Sequence, residues 1–171
     1  NDPGTGLPVG ELVLNPDGTL TFTPNDNYNN STPLPINYTI EDPTGATATA
    51  TIRITIDPIN DAPVATDNVK TTPQDVTVGG NVITENTGAG VDSDVDGDTP
   101  LTVSAFTVGG TPGTVGTPVS IPGVGQLTLN ANGSYTFDPA PDFVGDVPTV
   151  VYTLSDGNGG TDTATLCLLY T

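Results

Sequence analysis

The sequence predicts an all-β protein made of antiparallel β-sandwiches in tandem. Three observations support this: apolar and polar residues alternate in short runs, turn-forming residues separate the runs, and one pattern of strands and turns occurs twice. The alternation is clearest from Ala48 to Ile56, where Ala or Ile takes every second position. Because side chains point to opposite faces of a strand in turn, such a strand has one buried and one solvated face.

The repeated pattern divides the chain into one and a half units. Residues 10–22 align with residues 125–137, and both predict a strand, an Asp-Gly or Asn-Gly turn and a second strand. Residues 37–47 align in the same way with residues 151–161, which gives a period of about 114 residues that suits a sandwich. We therefore expect a complete unit at residues 59–171. Residues 1–58 then hold the C-terminal half of another unit, strands D to G, with a linker.

The complete unit is expected to contain seven antiparallel strands, which start and end the unit at opposite poles. The linker at residues 57–63, with Pro at its second and last positions, then lies at the same pole as the B–C loop and the F–G turn. The predicted strands are A at 64–71, B at 76–84, C at 101–108, D at 126–129, E at 134–138, F at 150–155 and G at 161–170.

An acidic loop gives the strongest indication of chemistry. From Asp92 to Asp98 a carboxylate stands at every second position, with Gly97 among them. Oxygen ligands in this arrangement can converge on a hard cation, and Ca²⁺ is the natural candidate. An EF-hand would need a bidentate Glu at the twelfth position, where this chain has Val103 in a predicted strand. The remaining ligands must therefore come from other segments.

Strand order indicates where those ligands are. The linker and the E–F loop of the preceding half unit are expected to meet the acidic loop at the junction of the two units, while isolated residues such as Asp17, Asp42, Asn132 and Asp156 are typical turn formers. The predicted metal ligands are Asp92, Asp94, Asp96 and Asp98 of the loop, Glu85 ahead of it, Asp57, Asn60 and Asp61 of the linker, and Asp26 of the half unit.

Composition excludes several functional classes. With 20 acidic and 2 basic residues the formal charge is -18, which disfavours binding to nucleic acid or to an anionic membrane. The chain has no His to serve as a general base and no Trp to stack a sugar, so we expect no enzyme activity. No apolar run reaches the ~20 residues of a membrane span. The single Cys167 allows no internal disulfide, and a metal can replace that cross-link.

Four stretches together resemble the cadherin-like tandem repeats of large bacterial surface adhesins of the VCBS and RTX type. They are the linker 57–63, the loop 92–98 with the strand after it, the hairpin that begins at Gly125, and residues 152–160. The linker is also similar to the D-x-N-D-N segment of animal cadherins, with Ala62 in place of the final Asn.

This resemblance implies Ig-like sandwiches in long extracellular arrays at the bacterial cell surface, stiffened by Ca²⁺ at their junctions. The expected function is thus a calcium-stiffened extender module for cell adhesion and biofilm formation, with neighbouring repeats of the same chain as partners. A Ca²⁺-dependent carbohydrate-binding module is a further alternative.

Another alternative is a subunit of an extracellular filament. The half unit would leave an apolar face and sheet edges open to water, and the last strand is apolar on both faces, with Cys167 and Leu169 at positions that should be solvated. Both features predict contact with a neighbouring chain, as a homo-oligomer or filament. Alternatively, residues outside this sequence cover the last strand.

Overall fold

The computed structural model describes residue 6 and residues 8–171, and it consists of two compact units. The first unit is Asn1–Ile59 and the second is Asn60–Thr171. The described residues form strands, turns and loops without a helix, which confirms the all-β class. Accordingly, they contain no helix of the length and hydropathy needed to cross a membrane.

The first unit is built from two antiparallel hairpins. Strand β1 (Gly10–Leu14) pairs with β2 (Leu20–Pro24), and β3 (Asn30–Glu41) pairs with β4 (Thr47–Ile56). A carboxylate closes each turn, as the sequence predicts for Asp17 and Asp42. Their Oδ1 atoms accept the backbone N–H of the residue two positions later at 2.9 and 2.8 Å.

Most apolar side chains of these hairpins remain exposed. Leu14 is 66% exposed and Ile40 is 61% exposed, whereas the aligned residues of the second unit, Leu129 and Leu154, are both 0% exposed. The strands that cover those residues in the second unit have no counterpart among the described residues of the first. The predicted open apolar face is therefore present.

The second unit is a sandwich of two sheets. The strands are β5 (Asn68–Thr72), β6 (Val78–Asn81), β7 (Thr102–Val108), β8 (Thr111–Gly113), β9 (Val119–Ile121), β10 (Gly125–Leu129), β11 (Ser134–Pro139), β12 (Gly145–Asp146), β13 (Val150–Ser155) and β14 (Thr161–Tyr170). One sheet has the strand order β6-β11-β10-β9, and the other has the order β12-β14-β13-β7-β8, with β5 paired to β14 as well.

The core of this unit lies between the two sheets. Leu127 and Phe137 come from the smaller sheet, and Tyr152, Leu154 and Leu166 from the larger, all with exposures of 1% or less. Each comes from an alternating run, so period-2 patterning places it inward. Complete burial of such side chains stabilises the unit by about 1.5–3 kcal/mol each.

The expectation of seven antiparallel strands was wrong in detail. Each predicted strand overlaps an observed one, but β8, β9 and β12 are additional, and β5 pairs with β14 in parallel. Strand B ends at Asn81 rather than at residue 84. The Asn81 side-chain oxygen accepts the N–H groups of Ile83 and Thr84 at 2.9 and 3.0 Å, which turns the chain out of the sheet.

The last strand does not offer a free edge over its C-terminal half. From Leu166 to Tyr170, β14 pairs with β5 on one side. On the other side it bonds to β13 at Leu166, to the Val147 N–H at Leu168 and to β12 at Leu169 and Tyr170. The exposed Cys167 and the partly exposed Leu169 lie on a face of the sheet. Addition of a foreign strand along this stretch, as the sequence predicted, would require displacement of a native strand.

Candidate calcium site

The acidic loop is held to the sandwich by its first two residues. The Asp92 N–H donates to the Ile83 carbonyl at 3.0 Å, and Ser93 exchanges two backbone hydrogen bonds with Val64, of 2.8 and 3.1 Å. The loop then turns sharply: the Gly97 N–H donates to the Asp94 carbonyl at 3.2 Å, with Gly97 at φ 76°. This left-handed conformation favours glycine.

Three of the predicted carboxylates converge in this turn. One oxygen from each of Asp94, Asp96 and Asp98 lies within 4.8 Å of the others. Asp94 Oδ1 accepts the Asp96 N–H at 2.8 Å, but Asp94 Oδ2 is buried without a hydrogen-bond partner. Within the described residues it is the one buried side-chain oxygen or nitrogen in that state. Like charges at this spacing repel one another. A cation would offset this repulsion and would give Asp94 Oδ2 a partner.

The start of the second unit contacts this cluster, as strand order predicts. The Asp61 N–H donates to Asp96 Oδ2 at 2.7 Å. The Asn60 side-chain amide donates to Asp156 Oδ2 at 2.9 Å, in the turn between β13 and β14. That turn has Gly160 where a Cβ would lie 2.8 Å from the Ala62 Cα, so glycine permits the close approach.

The β13–β14 turn also contributes a residue that the sequence interpretation missed. The Asn158 amide donates to Asp98 Oδ2 at 2.7 Å. The feature that could have identified Asn158 is the Asp-Gly-Asn-Gly-Gly sequence at 156–160, but this sequence is also typical of an ordinary turn. Asp156 does act as a turn former, because Oδ1 accepts the N–H groups of 158, 159 and 160. The hydrogen bond from Asn60 and these N–H groups hold its pKa below the usual range.

Asp92 is separate from the three-carboxylate cluster. Its Oδ1 accepts the Thr66 N–H at 2.8 Å and the Thr66 hydroxyl at 3.0 Å, and its Oδ2 lies 3.0 Å from the Tyr152 hydroxyl. Burial raises the pKa of Asp92, and these hydrogen bonds oppose the rise. Burial and the neighbouring Asp92 charge raise the pKa of Tyr152, so its hydroxyl stays protonated and can donate. The structure thus turns Asp92 toward the core.

Glu85 is also engaged elsewhere. Its Oε1 lies 2.6 Å from the Lys70 Nζ, and its Oε2 accepts the Asn81 N–H at 3.3 Å. The hydrogen bond from Lys70 lowers the pKa of Glu85. The ion pair supplies the counter-charge that a metal would otherwise bring.

Two predicted ligands belong to the first unit. Asp26 follows β2, and Asp57 follows β4; both side chains are exposed. Their part in a metal site remains a prediction.

The donor set at the cluster suits Ca²⁺. It consists of carboxylate oxygens of Asp94, Asp96 and Asp98, and it contains no sulfur or imidazole, which transition metals prefer. Two other segments contact it through N–H groups, those of Asp61 and Asn158. The hydrogen bonds from the Asp61 N–H and the Asn158 amide offset part of the charge of Asp96 and Asp98. Rotation of the Asn158 amide would present its oxygen instead of its nitrogen.

Two family models match this chain. The model of the bacterial cadherin-like domain matches residues 60–169, and that of the cadherin-like domain matches residues 5–57. No curated protein matches the chain.

Solved structures show only weak likeness. A nucleoside hydrolase-related hypothetical protein from Saccharophagus degradans is 18% identical with a TM-score of 0.41, over 67% of this chain and 26% of that one. A chimeric titin Z1Z2 is 16% identical with a TM-score of 0.37, over 97% and 74%. The endo-fucoidan hydrolase MfFcnA9 is 17% identical with a TM-score of 0.37, over 95% and 26%. The chain spans about a quarter of the first of these proteins.

Proposed function

This chain belongs to the family of bacterial cadherin-like domains, repeat modules of extracellular or surface proteins of the adhesion type, and we propose that it is a calcium-stiffened spacer of an adhesin. Domains of this family are structural or adhesive rather than enzymatic. The partners in this proposal are neighbouring repeats of the same polypeptide. Bound Ca²⁺ would hold each repeat in a fixed direction relative to the next.

The observation that carries the proposal is the cluster of Asp94, Asp96 and Asp98. One oxygen of each carboxylate lies within 4.8 Å of the others, and Asp94 Oδ2 is buried without a partner among the described residues. In a loop with only a structural role, the acidic side chains would point apart into water, because nothing would offset the repulsion between them. A divalent cation offers that compensation at the centre of the cluster.

The position of the cluster in the chain supports a mechanical role. Asn60 and Asp61 are the first residues of the second unit, and Asp61 already bonds to Asp96. A cation bound here would fix the direction in which the chain enters the sandwich. Asp57 and Asp26, of the first unit, are further ligands in this proposal. Extracellular modules bind Ca²⁺ at about 10⁻⁴ to 10⁻³ M, which suits external rather than cytosolic calcium.

Small-angle X-ray scattering in CaCl₂ and in EDTA tests this stiffening. We expect Ca²⁺ to lengthen and narrow the distribution of interatomic distances, because a fixed junction removes bent arrangements. Asp94→Asn should abolish the change, and Asp146→Asn, in β12, should leave it intact. Identical distributions in CaCl₂ and EDTA would contradict the spacer function.

The filament subunit remains a second candidate because of the open face of the first unit. Leu14 and Ile40 are exposed there, and a second chain could cover them. From Leu166 to Tyr170, β14 is paired on both sides, so this stretch offers no free edge to which a second chain could add a strand. Forward scattering from the same samples, over a range of protein concentrations, gives the mass. A filament subunit would show a mass that rises with concentration, and a spacer would stay monomeric.

A further inference from the structure

The buried contact between Asp92 and Tyr152 lies directly ahead of the cation cluster. Tyr152 is fully buried in the sandwich, and its hydroxyl lies 3.0 Å from Asp92 Oδ2. The Asp92 N–H is bonded to Ile83, and Ser93 is bonded to Val64 through both of its backbone groups. The two residues before Asp94 are therefore held by side-chain and backbone contacts to the core.

These contacts determine where the Asp94 carboxylate lies. Asp94 is the next residue after the Ser93 bridge, and its buried Oδ2 has no partner among the residues that the structure describes. If Asp92 were released, its carboxylate would leave the interior for water, because a buried charge without hydrogen bonds is costly. The chain at 92–94 would move with it, and the spacing of the cluster would change.

The first unit shows the same tyrosine without this contact. Tyr38 aligns with Tyr152 and has the same register, opposite Ala50 as Tyr152 is opposite Ala164. The described residues of the first unit include no acidic loop like 92–98, and Tyr38 is 38% exposed. The strands that cover Tyr152 also have no counterpart among the described residues of the first unit, so the comparison shows a shared register and not an effect of the loop.

We infer that Tyr152, acting through Asp92, is a positioning residue for the cation site, so that Ca²⁺ affinity depends on a hydroxyl in the sandwich core. This inference rests on the proposed calcium function. It gives Asp92 a supporting role in place of the direct ligand role that the sequence suggested. Groups that orient metal ligands change metal affinity by about 10–100-fold when they are removed.

Calorimetric titration with CaCl₂ of the whole chain tests this role. Tyr152→Phe removes one hydroxyl and changes neither the net charge nor any proposed ligand. We expect its Kd for Ca²⁺ to rise about tenfold. Tyr170→Phe is the matched control. The Tyr170 hydroxyl also donates a partly buried hydrogen bond to a backbone carbonyl, that of Val76 at 2.9 Å, but this bond lies away from the acidic loop. Its Kd should stay within about twofold of the parent.

A second pair of variants covers the case in which Tyr152→Phe does not fold. Thr66→Val removes the hydroxyl that donates to Asp92 Oδ1, and Thr77→Val removes one that donates to Asp138 Oδ1 at 2.7 Å. Thr66→Val should weaken Ca²⁺ binding severalfold, and Thr77→Val should not. Thermal unfolding of each variant in EDTA is the control that establishes whether it is folded at the temperature of the titration.

Three outcomes overturn the inference. An unchanged Kd in Tyr152→Phe would show that the contact only stabilises the fold. A lower Kd would show that the freed Asp92 becomes a direct ligand. Equal weakening by Tyr152→Phe and Tyr170→Phe would trace the loss to global stability. If the parent chain binds no Ca²⁺, the proposed function itself fails, and the parent titration shows this separately.

Discussion

At the scale of single residues, the environment of each carboxylate decides its role. Asp92 is buried and hydrogen-bonded, Glu85 is paired with Lys70, and Asp94 has a buried oxygen without a partner. A buried charge is tolerated when hydrogen bonds or a counter-charge replace its hydration. Of the three, Asp94 is the one whose compensation is incomplete, which is why it is the central ligand of the proposed site.

The Lys70–Glu85 pair gives a prediction about pH. The pKa of Glu85 is lowered in the folded protein, so its contribution to stability is present above the unfolded value and is lost as pH falls through the lowered value. Glu85→Gln should therefore lower the free energy of unfolding at pH 7 by less than about 1 kcal/mol. The difference from the parent should shrink as pH falls below the unfolded pKa of a glutamate, about 4.3, and vanish only below the lowered folded value, as measured by urea unfolding.

The same variant tests the assignment of Glu85. Because the carboxylate is held by Lys70, Glu85→Gln should leave the Ca²⁺ affinity almost unchanged, whereas removal of a true ligand would weaken it strongly. Lys70→Gln is the control, and it should lose a similar amount of stability. A large loss of Ca²⁺ affinity in Glu85→Gln would return this residue to the metal site.

Sequence alone predicts part of the candidate site. Alternation around Gly97 identified Asp94, Asp96 and Asp98, and strand order brought Asn60 and Asp61 to the same pole. The inward rotation of Asp92 could not be predicted, because it depends on hydrogen bonds from Thr66 and from Tyr152, which lie 26 and 60 residues away in the chain. Asn158 was missed because its sequence context is also that of an ordinary turn.

At the scale of elements, the two units build the same hairpin with different surroundings. The registers Leu12 to Phe22 and Leu127 to Phe137 coincide, and both turns close with a glycine at positive φ, Gly18 and Gly133. A Cβ at Gly18 would meet nothing within 4 Å. At Gly133 it would lie 2.6 Å from an Asn81 oxygen, because the second unit packs β6 against its hairpin.

Two alanine substitutions within the second unit separate the cost of backbone strain at positive φ from the cost of a steric collision. Gly123→Ala, at φ 76° with open space around it, pays only backbone strain of about 1 kcal/mol. Gly133→Ala, at φ 80°, adds a collision with Asn81 and Ile83 and should cost roughly 1–3 kcal/mol more. Urea unfolding in EDTA measures both. Equal costs would show that the Asn81 and Ile83 side chains move aside freely.

Element prediction succeeds where alternation is regular and fails where pairing is long-range. The hairpin β10–β11 and the strands β13 and β14 lie close to their predicted bounds. Parallel pairing of β5 with β14 joins residues almost 100 positions apart, and no local pattern encodes it. Strands of two or three residues, such as β12 and β8, are too short to show a period.

At the scale of the whole molecule, the net charge of -18 and the acidic cluster favour a protein that depends on cations. Self-repulsion of this size opposes the compact state, and a divalent ion bound at Asp94, Asp96 and Asp98 would reduce it. The single ion pair among the described residues, Lys70–Glu85, contributes little to that balance. Stability should therefore depend on calcium more than on surface ion pairs.

Thermal unfolding in 10 mM CaCl₂ and in EDTA tests the central claim most directly. A site with a Kd near 10⁻⁴ M would stabilise the folded state by about 2.7 kcal/mol at that concentration, which corresponds to a rise in Tm of roughly 10 °C. Asp94→Asn should lose most of this rise, and MgCl₂ at equal ionic strength should reproduce little of it. A Tm that is the same in CaCl₂ and EDTA would contradict the account of a calcium-stiffened module.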